Sequence, residues 1–106
     1  MTASARLDLA PAHRNIVLQI LQAHLPSATK VWAFGSRANG RSAPFSDLDL
    51  AIDAGRPLRR DEMAALSDAF CESDLPWKVD VVDWRSLTSG FARLIEAERI
   101  VLAFKD

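Results

Sequence analysis

Among its 106 residues the chain has one cysteine, Cys71, and no tyrosine. A lone thiol rules out an intrachain disulfide, and with no cysteine or histidine set around it Cys71 is expected to fill space on a helix. Histidine is nearly as scarce. His13 and His24 fall on one predicted helix, too far apart for an i, i+4 ligand pair. An excess of one charge is also missing: 13 Lys and Arg stand against 14 Asp and Glu, for a formal net charge of −1. Without a dense basic run there is no electrostatic basis for tight non-specific binding to duplex DNA, so direct contact with nucleic acid is not expected. Nowhere do eighteen apolar residues run together, and the first nine residues carry Arg6 and Asp8 in place of an apolar stretch. Neither a membrane span nor a signal peptide is expected, and the chain reads as soluble and cytoplasmic. Repeats, low-complexity segments and interdomain linkers are absent too. What is present is 49% hydrophobic and 25% charged, a composition suited to one globular domain over 1–106.

Helical and strand patterns alternate along the chain. Pro11 suits the first turn of a helix in which Ile16, Val17, Ile20, Leu21 and Leu25 recur at helical spacing until Pro26. Lys30-Val31-Trp32-Ala33-Phe34 is a short apolar run ending at Gly35, as for a strand covered on both faces. From Asp47 to Asp53 the residues alternate: Leu48, Leu50 and Ile52 on a core face, Asp47, Asp49, Ala51 and Asp53 on an acidic one. Met63, Leu66 and Phe70 then stripe a helix whose first turn holds Asp61 and Glu62, where the helix dipole favours anions. A third strand is expected over 78–84, then a last helix through Leu87, Phe91, Leu94 and Ile95, and a short apolar tail from Ile100 to Phe104. The fold class expected is α/β (α+β): a small mixed sheet of three to four strands flanked by helices.

The chemistry is concentrated between Gly35 and Asp49. Residues two apart on a strand point the same way, so Asp47 and Asp49 project side by side with carboxylates roughly 4 to 6 Å apart. At an effective dielectric of about 20 such a pair repels by roughly 3 to 4 kcal/mol, which calls for a cation or a raised pKa. Magnesium takes hard oxygen ligands and is commonly held by one or two carboxylates together with substrate phosphates, so it fits a half-built acidic site. Gly35 lets the backbone turn and approach a ligand closely, Ser36 offers a hydroxyl and an amide, and Arg37 and Arg41 can neutralise phosphate charge. The plain alternatives are a surface turn for the loop and a solvated sheet face for the acids. Asp53 lies about 13 Å beyond Asp49 along the strand and reads as a strand-end charge.

The run Phe34-Gly35-Ser36-Arg37-Ala38-Asn39-Gly40, followed by Ser46-Asp47-Leu48-Asp49-Leu50-Ala51-Ile52, resembles the signature of the minimal nucleotidyltransferases, the MNT or MntA-like branch of the polymerase-beta-type superfamily. That family carries a third carboxylate in an apolar-Asp-apolar pattern on a later strand, matched by Val79-Asp80-Val81. Asp83 falls on the opposite face of that strand and is left out. The resemblance implies a nucleotidyltransferase core with Asp47, Asp49 and Asp80 as catalytic and metal-binding residues. It implies Gly35 and Ser36, with Arg37, Arg41 and Ser46, at the nucleotide phosphates, Mg2+ as cofactor and ATP as co-substrate. The usual companion in that family is a HEPN-domain toxin, and the resemblance implies an antitoxin that neutralises it by moving AMP from ATP onto a tyrosine. So short a chain leaves little beyond the core, so the acceptor surface is expected on a partner, to which Trp77, Trp84 and Phe91 offer a docking patch. A small-molecule nucleotidyltransferase of the aminoglycoside-modifying type, or an antitoxin that only binds, are the alternatives.

Overall fold

The structure is a computed structural model that describes residues 9–26, 28–39 and 46–104. Its elements run α1 (Pro11–His24), β1 (Lys30–Phe34), α2 (Ser36–Asn39), β2 (Leu48–Asp53), α3 (Arg60–Cys71), β3 (Val79–Asp83), a 3-10 turn (Trp84–Ser86), α4 (Ser89–Glu98) and β4 (Ile100–Phe104). The four strands form one mixed sheet in the order β3-β2-β1-β4. β1 pairs antiparallel with β2 and with β4, while β2 and β3 are parallel. A parallel pair needs a long crossover, and α3 supplies it. The apolar tail is a strand, which sets the count at four. Among the described residues no helix is long and apolar enough to cross a membrane.

The period-two pattern of β2 decides where the core lies. Leu48, Leu50 and Ile52 point to one face, where they join Val31 and Ala33 of β1 beneath Val17 and Leu21 of α1 and Leu66 and Phe70 of α3. The opposite face, expected to carry Asp47, Asp49, Ala51 and Asp53, is covered in part. Ala51 is fully buried there with Trp32 and Ile95 in a second cluster, flanked by Phe34, Val82, Trp84 and Leu87. The amphipathic stripe of α4 accounts for this: Thr88 caps its N-terminus by accepting from the Phe91 N–H at 3.3 Å, and Ile95 packs down onto the sheet. α4 covers the half of this face around Ala51 and Trp32.

Several aromatic and acidic residues have structural work. Trp77 is buried in the larger core with His13 edge-on to its ring at 5.5 Å, and Trp84 packs on Trp32 at 5.2 Å. Of the three aromatic residues expected to form a docking patch, only Phe91 is exposed. Cys71, expected to pack, is exposed, because it falls on the last residue of α3. Asp83 is buried and accepts from the Leu58 N–H, the Arg85 N–H and the Ser86 hydroxyl, tying the turn before α3 to the 3-10 turn. Asp53 accepts from Arg85 Nε at 2.8 Å and the Gly55 N–H at 2.9 Å. Burial pushes its carboxyl up, but these bonds outweigh that and hold it below the usual value.

Candidate functional site

β1 ends where Gly35 turns the chain into α2. Gly35 has φ +80°, a left-handed conformation that glycine adopts without steric cost. A Cβ at this position would run into the Asp49 carboxylate oxygen Oδ2. Only a residue without a side chain lets the backbone lie against Asp49. The contact follows from register, because Phe34 sits opposite Asp49 in the antiparallel pairing of β1 and β2. On its other side Asp49 stands opposite Asp80 in the parallel pairing of β2 and β3. Neighbouring strands are about 4.8 Å apart, so these two carboxylates are side by side on one face. Two residues from sequence-distant strands thus share one edge of the open half-face with a glycine turn.

The charges here oppose one another. The Asp49 carboxyl is pushed up from its usual 3.8 to about 6, first by burial and then by the negative charges of Asp80, Asp47 and Glu98. Asp47 is exposed just ahead of β2. Asp80 is partly exposed, with Lys78 Nζ at 3.4 Å. Glu98, the last residue of α4, was not anticipated from the sequence; its Oε1 accepts the Gly35 N–H at 3.3 Å. Arg99 fixes this end of the helix by laying its guanidinium over Trp32 at 4.3 Å and Trp84 at 4.9 Å. Among the described residues no group of three or more Asp, Glu, His or Cys is drawn close enough to hold a metal by itself. The donors are hard oxygens under mutual repulsion, which fits a magnesium-like ion that brings water and phosphate oxygens of its own.

The loop residues divide. Ser36 opens α2 and is half-buried beside Gly35. Arg37, expected at a phosphate, is buried: its Nε donates to the Ser46 carbonyl at 2.8 Å and its guanidinium lies 4.4 Å from the Trp77 ring centre. It braces α2 to the segment entering β2 and is directed to the larger core. Ser46 is half-buried at the other end of that brace. Arg41 lies outside the described residues. Two cavities border the acids. One of about 400 Å3 runs between Phe34, Gly35 and α4, with Glu98 on its wall. The other, of about 520 Å3, lies between α3 and β3 with Asp80 at its margin.

Residues 15–106 match the family described as polymerase beta, nucleotidyltransferase. The chain belongs to the polymerase-beta-type nucleotidyltransferases. It is 43% identical, over 100% of its own length and 92% of the other's, to a Haemophilus influenzae protein named as probable protein adenylyltransferase MntA. It is similar to a solved toxin-antitoxin structure with AMP-PNP, at TM-score 0.74 and 25% identity over 88% of this chain and 74% of that one. It is also similar to a solved protein assigned as a minimal nucleotidyltransferase, at TM-score 0.64 and 32% identity over 84% of this chain and 88% of that one. The mixed four-stranded sheet with flanking helices is the minimal nucleotidyltransferase fold. In this nucleotidyltransferase the Gly35 turn and the facing Asp49–Asp80 pair occupy the part of the sheet that α4 leaves open.

Proposed function

We propose that this nucleotidyltransferase transfers AMP from ATP to a tyrosine hydroxyl of a HEPN-domain toxin in the cytoplasm, neutralising it, with magnesium as the metal ion. The observation that carries the reading is the juxtaposition of Gly35, Asp49 and Asp80 in a chain akin over its whole length to a protein named for adenylyl transfer. The relative crystallised as a toxin-antitoxin with AMP-PNP supports both the adenine nucleotide and the protein partner. The 106 residues hold no tyrosine, so a modified tyrosine lies outside them.

The reaction is a displacement at the α-phosphorus. The tyrosine oxygen attacks in line, the new O–P bond forms as the bond to the bridging oxygen breaks, and pyrophosphate leaves. The phenolic proton passes to the Asp80 carboxylate on the acceptor side. Gly35 and Ser36 seat the phosphates, with Arg41 and Ser46 in support, while Arg37 acts through the loop it braces. Asp47, Asp49 and Asp80, together with substrate phosphate oxygens, would hold the magnesium, which would supply neutralisation of charge on those oxygens. The chain's own contribution is mainly positioning: a glycine turn admits the phosphates and two facing strands orient the carboxylates.

The test is to incubate the chain with labelled ATP, CTP, GTP or UTP and magnesium, with and without the product of the adjacent gene. The expected result is AMP on a tyrosine of the helical partner and none without it. Transfer to a small hydroxylated acceptor with no protein partner would overturn the choice of acceptor. Neutralisation of the toxin by variants lacking the three aspartates would overturn the catalytic route.

A further inference from the structure

The Gly35 N–H, in the turn that the proposed reaction uses to seat the phosphates, donates here to Glu98 Oε1 at 3.3 Å. A carboxylate is the side chain closest in charge and geometry to a phosphate edge, so the two are rivals for one donor. Glu98 is the last residue of α4, at the helix end where the dipole disfavours a negative charge. It also stands near Asp49, whose carboxyl is raised partly by its charge. The backbone is held in place by the Arg99 stack on Trp32 and Trp84. The side chain borders a cavity of about 400 Å3 lined also by Phe34, Phe91 and Leu94, which leaves room for it to turn away.

We propose that Glu98 sets the affinity for the nucleotide: its carboxylate competes with the triphosphate for the Gly35 N–H and repels the incoming anion. This rests on reading the site as a nucleotide site. The same competition promotes departure of pyrophosphate once the α–β bond is broken. Glu98 is a positioning residue and takes no part in bond making.

The experiment is calorimetric titration of the full chain and of Glu98→Gln and Glu98→Ala with AMP-PNP and magnesium, with pyrophosphate, and with adenosine. Gln keeps the shape and an oxygen acceptor but removes the charge; Ala removes both. The expected result is a Kd for AMP-PNP about five- to tenfold lower in Glu98→Gln and lower still in Glu98→Ala, on the scale of one unit charge near a partly exposed site. Pyrophosphate should follow the same order, and adenosine should be unaffected. Equal or weaker AMP-PNP binding by both variants, with melting temperatures at or above that of the parent, overturns the proposal. Absence of AMP-PNP binding by all three proteins overturns the nucleotide reading itself and this inference with it. Binding by the variants alone supports both.

Discussion

On one face of the sheet, Leu48, Leu50 and Ile52 of β2 are wholly buried under α1 and α3; on the other, Ala51 is covered by α4 while Asp49, two residues earlier, stands among Asp47, Asp80 and Glu98. One strand therefore serves two opposed ends. Its apolar side removes hydrocarbon from water and stabilises the fold. Its polar side gathers like charges, raises a carboxyl to about 6 and works against stability. Such an arrangement is characteristic of functional sites, where strain and repulsion persist because the surrounding packing holds them in place. The division also explains why α4 stops where it does, covering the apolar half-face around Ala51 and Trp32 and placing its last residue, Glu98, beside the open one.

The comparison can be broken from either side. The largest expected effect is on chemistry: Asp49→Asn should lower AMP transfer by about a thousandfold or more, as loss of a key electrostatic group does, and leave the melting temperature equal or higher because it removes a repelled charge. Rates alongside thermal denaturation check both parts. Leu50→Ala reverses the pattern. It opens a cavity under α1 and α3 and should cost about 2 to 5 kcal/mol in urea unfolding, with transfer per folded molecule little changed. Gly35→Ala affects both faces of the account, since the new Cβ meets the Asp49 carboxylate in a backbone with φ +80°. It should cost about 1 to 2 kcal/mol of stability and weaken AMP-PNP binding by about tenfold or more, measured by calorimetry.

The smallest effect is that of pH. The folded protein holds the Asp49 proton above its usual 3.8, to about 6. The contribution to stability is therefore fully present below about pH 4, falls as pH rises, and is lost above about pH 6. Because Asp49 is only half-buried, solvent screening limits the change to about 1 kcal/mol. Urea unfolding at pH 4, 5, 6 and 7 without divalent metal should show this decline, and Asp49→Asn should flatten it.

Much of this division is legible in the sequence. Alternation in 47–53 separates the core leucines from the acids, and Gly35 at the end of an apolar strand locates the turn, because both are local properties of the backbone. Contacts made by distant segments are not local. Glu98 lies 63 residues from the Gly35 N–H it accepts, on a helix whose stripe predicts burial of Ile95 but not where its last carboxylate falls. Arg37 beside a glycine-serine turn reads as a phosphate ligand, and its stacking on Trp77, from the segment before β3, is a long-range contact that the local sequence does not show. The facing of Asp49 and Asp80 depends on a parallel pairing that no single strand encodes. The tail Ile100–Phe104 becomes a strand because β1 offers it an edge.

The most direct test is intact-mass and peptide mass spectrometry of the proposed HEPN-domain partner after incubation with ATP, magnesium and either the parent chain or the Asp49→Asn/Asp80→Asn double variant. The account predicts AMP on a tyrosine of the partner with the parent chain and an unmodified partner with the double variant, although both chains fold. Equal modification by the two chains would contradict it.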